Sequence, residues 1–253
     1  MGGLLAAYGL GVADVLVVHD PHPGYRSTQI ARDLAAAVGT ETVAVQHHRA
    51  HLASVLAERG AWATRVAGLA LDGTGWGGEV FAGSLRDGFE RVDHLRPAWL
   101  PGGDAAARWP VQAAAGFLAE VPDLPDLDAP PFGFGDRHRL ALRLVEAGVR
   151  TVRTTSTGRL FDTVAALCGY TREQTYEGQA AMWLEAQARR AGPVGPYPMP
   201  GLDWCPTLAA AAQDRASGRP VAEVARAFHL GLAAALAEAC RERGTLPPQA
   251  ERS

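Results

Sequence analysis

Apolar positions in the first half of the chain come as short runs set between amphipathic stretches. Val15 to His19 (VLVVH) is a β-branched run of buried-strand type, and Asp20-Pro21-His22-Pro23 stops it before a helix predicted over about Ser27 to Val38. Thr42 to Val45 predicts a second strand, followed by a helix from about His47 to Arg59 that ends at Gly60. Val66 to Leu71 predicts a third strand, which runs into the glycine-dense turn DGTGWGG at Asp72 to Gly78. Val80 to Leu85 and Phe89 to His94 read as two further strands joined through Asp87-Gly88, a hairpin signal.

From Asp104 onward the apolar period becomes helical. Ala105 to Glu120 predicts one long helix, and the proline- and aspartate-rich stretch from Val121 to Gly135 predicts a loop. Helices follow at about Arg137 to Gly148, Arg159 to Leu167, Glu177 to Arg190 and Val221 to Arg243, with a Pro/Gly-rich connection over Ala191 to Gly201. The pattern implies an α/β lobe and then a mainly helical one.

Composition narrows the chemistry. The 253 residues carry 24 Lys+Arg against 27 Asp+Glu, for a net charge of -3, and every one of the basic residues is Arg, since the chain has neither Lys nor Asn. That excludes a P-loop lysine, a Schiff-base lysine and a Cys/His/Asn triad. Arg is scattered singly, without the basic patch that nucleic acid or anionic lipid requires, so neither partner is expected. No stretch reaches the roughly 18 apolar residues of a membrane span. Cys168, Cys205 and Cys240 are odd in number and far apart, forming no CxxC pair or disulfide framework, and are read as reduced thiols of a cytoplasmic protein.

His47 and His51 in VQHHRAHLASVLAE stand at i, i+4 where a strand gives way to a helix, the spacing that lets two imidazoles bind one divalent metal. The alternative is a pair of solvated histidines at a helix start. Asp72 ends the strand Val66 to Leu71 and could supply a third ligand, completing an open two-His, one-carboxylate set; it could equally bond its own turn. The turn it opens lies between two strands, so it is neither a Rossmann nor a Walker loop, but its glycines could bring backbone amides to a phosphate. A plain tight hairpin competes with that reading. Thr154, Thr155, Ser156 and Thr157 precede GRLFD as capping hydroxyls, and Glu177 and Gly178 open a helix whose N-terminus could face ribose or phosphate.

Taken in order, VQHHRAHLASVLAE, LALDGTGWGGEVF, LRPAWLPGGDAA, GRLFDTVAALCG, TYEGQAAMWLEA and RAFHLGLAAALAE resemble the carbamoyltransferase domain of the HypF family, across about Asp14 to Arg243. The resemblance implies an actin-like (ASKHA) two-lobed α/β fold, with a first lobe at residues 1–120 holding the metal-binding helix and phosphate hairpin, and a second lobe at 121–253 that is incomplete. It implies transfer of the carbamoyl group of ATP-derived carbamoyl-adenylate to the C-terminal cysteine of a HypE-like acceptor in nickel-iron hydrogenase maturation. By position, His47, His51 and Asp72 would hold zinc or iron and serve catalysis, while Thr74 and Gly75 match the phosphate hairpin, and Asp162, Glu177 and Gly178 lie near the adenosine.

Relatives carry further domains upstream, including one that forms carbamoyl-adenylate, and continue into an LSGG-type loop with another metal-binding Asp; the chain is expected to lack both. Its turn is also shorter, and Thr155 stands where Ser is usual. The expectation is therefore a partial enzyme of reduced activity, its carbamoyl-adenylate-forming domain on another chain. A small-molecule O-carbamoyltransferase and a non-catalytic metal- or nucleotide-binding remnant are the other readings.

Overall fold

The computed structural model describes residues 7–9, 11, 15–22, 24–73 and 75–244. It is an α/β chain in two compact units, one made of the described residues up to Thr64 together with Ser84–Phe89, the other of Arg65–Gly83 and the described residues from Glu90 onward. The division falls near residue 64. The helix that starts at Pro110 is buried along its whole length and packs with the helices downstream.

In the first unit β1 (Val17–His19), α1 (Arg26–Val38), β2 (Thr42–Ala44) and α2 (His47–Glu58) follow in order. β1 and β2 pair in parallel, Val18 opposite Val43. Ala31 and Ala35 recur at helical spacing and bury against Val17, and α1 stops at Gly39, whose φ of 71° is the left-handed conformation that suits glycine after a helix. α2 is capped by Gln46, whose side chain accepts from the Arg49 N–H at 3.1 Å.

The three-stranded sheet of β3 (Val66–Leu71), β4 (Gly78–Ser84) and β5 (Gly88–His94), ordered β3-β4-β5, belongs to the second unit except for Ser84, Gly88 and Phe89; β3 and β4 are antiparallel, with Leu71 opposite Gly78. β6 (Ala98–Pro101) pairs antiparallel with β7 (Thr151–Thr154). The helices are α3 (Asp104–Arg108), α4 (Pro110–Leu118), α5 (Gly135–Ala147), α6 (Thr157–Leu167), α7 (Gln179–Ala188), α8 (Cys205–Ala216) and α9 (Val221–Gly244). Trp204, Phe117, Phe228, Leu160, Leu184 and Leu208 form the centre of one continuous core. None of the described helices is long and apolar enough to cross a membrane.

Three features depart from the sequence expectation. The helix predicted over Ala105 to Glu120 is two helices, because Pro110 forces Trp109 into an extended conformation (φ -126°, ψ 101°). β6 and β7 were not foreseen: each has four residues and exists by pairing with a partner some fifty positions away. α8 was not foreseen either, since its alanine-rich run shows little contrast between faces, although Leu208, Ala211 and Ala212 are buried. Gly116 fixes how α4 lies on β6, for a Cβ there would fall 1.6 Å from the Trp99 carbonyl oxygen.

Candidate functional site

The turn between β3 and β4 is held by its own backbone and by the loop that leads into α6. The Asp72 N–H donates to Gly77 O at 2.8 Å, and the Gly73 N–H donates to Asp72 Oδ1. Hydroxyls of the Thr154-Thr155-Ser156-Thr157 run then reach across: Thr154 to Gly75 O at 2.6 Å, Ser156 to Asp72 O at 3.0 Å, Thr157 to Gly77 O at 2.7 Å. Only Ser156 caps α6, accepting from the Arg159 N–H at 3.2 Å. This corrects the reading of all four as caps: three of the hydroxyls, that of Ser156 among them, donate to carbonyls of the turn. Thr155 donates to Glu79, a buried carboxylate also paired with Arg91.

That clamp forms one wall of a cleft of about 310 Å³, with Asp72, Gly73, Gly158, Asp162, Glu177 and Gly178 on its surface. Two glycines make it possible. A Cβ on Gly158 would fall 2.8 Å from Gly73 Cα, so the hairpin and the first turn of α6 meet backbone to backbone. Gly178, with φ 77°, precedes α7 and turns the chain into it. The Glu177 carboxylate lies over Gly73, whose Cβ position is 3.0 Å from Glu177 Oε1.

At the base lies Asp162, 1% exposed beside Arg159, 3% exposed, with Oδ2 and Nη1 3.0 Å apart. Burial pushes the Asp162 carboxyl up to about 7, against the opposing pull of Arg159 and of a hydrogen bond from Gln174. Four residues named from the sequence thus meet in one cleft: Asp72, Asp162, Glu177 and Gly178. Gly75 does not line it; its carbonyl accepts from the Thr154 hydroxyl and the Thr155 N–H. Thr74 lies outside the described residues.

The histidines belong to the first unit. His47 and His51 share one face of α2, their ring centroids 6.2 Å apart, while His48 turns inward and is 2% exposed. Asp20, at the end of β1, receives both the His47 N–H (3.1 Å) and Nδ1 (3.2 Å) on its Oδ2. Burial acts to raise the Asp20 carboxyl, but hydrogen bonds from the His22 N–H, the His47 ring and the His47 N–H prevail and hold it below the ordinary carboxylate range. Asp20 is therefore ionised and can only accept, so Nδ1 of His47 is the donor of that bond. An outer carboxylate of this kind orients metal-bound imidazoles, and the donor types of His47 and His51 suit a first-row divalent ion. Sequence reasoning took Asp20 only as a strand stop; its place at the carboxyl end of a parallel strand was the available signal.

Burial raises all three thiols, Cys168 to about 12 and Cys205 to about 11. None is activated as a nucleophile.

Comparison with known proteins bears on the whole chain. Residues 67–246 match the family model described as carbamoyltransferase, Kae1-like domain, second subdomain, and residues 6–58 match the HypF Kae1-like domain. The carbamoyltransferase HypF of Rhodobacter capsulatus is 40% identical over 237 residues, covering 89% of this chain and 31% of that protein. HypF2 of Cupriavidus necator is 41% identical over 201 residues, covering 76% of this chain and 24% of that one. Among solved structures, HypF of T. kodakarensis superposes with a TM-score of 0.82 at 31% identity, over 96% of this chain and 35% of that one. Full-length HypF in a phosphate- and nucleotide-bound form gives 0.74 at 30% identity, over 90% and 38%. The chain thus spans about a third or less of the length of these two curated relatives.

Proposed function

This chain belongs to the HypF carbamoyltransferase family, and from that premise we propose that it is an actin-like carbamoyl-transfer domain, moving the carbamoyl group of carbamoyl-adenylate to the C-terminal cysteine of a HypE-like acceptor during nickel-iron hydrogenase maturation in the cytoplasm. The observation that carries this reading is the cleft that gathers Asp72, Gly73, Asp162, Glu177 and Gly178 around one volume of about 310 Å³. Its carboxylates offer acceptors to ribose hydroxyls, and its glycines let a ligand approach the backbone closely.

In the proposed reaction the acceptor thiol loses its proton to solvent, its sulfur bonds to the carbamoyl carbon, and the bond from that carbon to the phosphate oxygen breaks, releasing AMP. The nucleophile comes from the acceptor, because burial keeps Cys168, Cys205 and Cys240 as thiols. Asp162 and Glu177 orient the nucleoside. His47, His51 and Asp72 would hold a zinc or iron ion, with Asp20 orienting the His47 imidazole. When bound, such an ion supplies Lewis-acid polarisation of an oxygen in the reacting group.

The test is to supply the chain with carbamoyl-adenylate and a purified HypE-like acceptor, following AMP release and the mass of the acceptor. Failure to carbamoylate the acceptor, together with failure to bind AMP, would overturn the proposal.

A further inference from the structure

The Asp162 carboxylate is held from behind by a residue outside every motif that marks the cleft. Gln174 lies in the loop between α6 and α7 and is 5% exposed. Its Nε2 donates to Ala107 O at 2.9 Å and to Asp162 Oδ1 at 3.1 Å, while its Oε1 accepts from the Ala180 N–H at 2.9 Å. Its own N–H donates to Arg108 O at 2.8 Å. Chemistry fixes the orientation of this amide. The Ala180 N–H can only donate and the Ala107 carbonyl can only accept, so oxygen faces the first and nitrogen the second. The remaining amide hydrogen goes to Asp162. One side chain therefore joins the end of α3, the middle of α6 and the first turn of α7.

We propose that Gln174 is a positioning residue for Asp162, aiming its carboxylate at the cleft and tying it to the turn that carries Gly178. The proposal rests on the reading of this cleft as a nucleoside site. A glutamate here would set a second carboxylate against Asp162 and remove its donor. A leucine would fill the volume but leave Asp162 Oδ1, the Ala107 carbonyl and the Ala180 N–H without partners.

The charges around Asp162 are few. Arg159 on its own helix is within 3.0 Å, and Asp72 and Glu177 face the same cleft. α4, packed along α6, has no charged residue. Glu185 of α7, Asp214 and Arg215 of α8, and Arg226 and His229 of α9 sit on helices packed against α6, and none forms an ion pair or hydrogen bond with Asp162. Burial raises the Asp162 carboxyl, whereas Arg159 and the Gln174 hydrogen bond lower it. Removing the Gln174 donor must raise it further.

The experiment measures AMP binding by calorimetry between about pH 5.5 and 8.5 for the wild-type chain, Gln174→Leu and Gln174→Glu. Carboxyl-carbon NMR of the ligand-free proteins, with Asp162→Asn for assignment, gives the Asp162 titration midpoint. Both variants are expected to weaken AMP binding at neutral pH by roughly tenfold or more and to shift the Asp162 midpoint upward, with the larger shift in Gln174→Glu. Gln174→Glu keeps the acceptor for Ala180, so it reports even if Gln174→Leu folds poorly. Midpoints unchanged in both variants, with only thermal stability reduced, would reduce Gln174 to a structural spacer and overturn the proposal. If the midpoints shift but the wild-type chain binds no AMP, the positioning role stands and the nucleoside reading falls. Equal AMP binding by all three proteins would overturn the positioning role and leave that reading intact.

Discussion

One oxygen of Asp20 accepts from both the backbone and the ring of His47, at 3.1 and 3.2 Å, so a side chain at the end of β1 fixes how the His47 imidazole is oriented in α2. Asp20→Ala removes that constraint and should weaken zinc binding by about 10–100-fold, measured by chelator competition. Asp20→Asn retains an acceptor and should fall between. An affinity within about twofold of wild type for Asp20→Ala would show that His47 needs no outer carboxylate.

Asp162 links pH to stability. Its carboxyl is raised from 3.8 to about 7 in the folded chain, so folding tightens its hold on a proton. The resulting stabilisation is complete below the unfolded value and disappears as pH rises through about 7. Melting temperature should therefore decline between about pH 5 and 8 in the wild type, with a shallower slope in Asp162→Asn. Parallel curves for the two proteins would contradict this.

Gly158→Ala sets two effects against each other. Alanine gains up to about 1 kcal/mol in a helix, but its Cβ would meet Gly73 Cα at 2.8 Å, and backbone cannot yield as a side-chain tip can. Overpacking of about 1–3 kcal/mol should prevail, lowering the melting temperature by a few degrees. It should also weaken AMP binding, because the wall of the cleft moves. Calorimetric melting and titration check both.

The thiols should be inert. Cys168 is 4% exposed with its thiol pushed to about 12, so iodoacetamide near neutral pH should leave it unlabelled until the chain is denatured. Replacing Cys205 and Cys240 by serine should leave AMP binding unchanged. Rapid native labelling of Cys168, seen by mass spectrometry, would refute the assignment.

Much of the fold was legible because periodicity is local. VLVVH and Val66–Leu71 mark strands without reference to anything distant, and the alanines at 31 and 35 mark a buried helix face. Leu16, Val18 and Leu71 nevertheless stand exposed, although the first run reads as buried throughout. Pro110 was legible too, and was overlooked within an otherwise helical pattern. The cleft residues were nameable singly, since Asp-Gly turns, GRLFD and YEGQ each mark an element start. Gln174 was not, because an isolated glutamine in a polar loop looks the same whether it faces water or closes three hydrogen bonds.

The sequence alone determined the order of the elements from β1 to β5, the all-arginine cationic set and the family to which the motifs belong. The tertiary structure alone decided that Asp72 and Asp162, ninety positions apart, share one cleft, and that hydroxyls suited to capping α6 instead hold the hairpin opposite. It also decided that β6 and β7 exist at all. Side-chain periodicity is written along the chain, whereas a strand pair or a buried carboxylate takes its energy from partners that folding brings near.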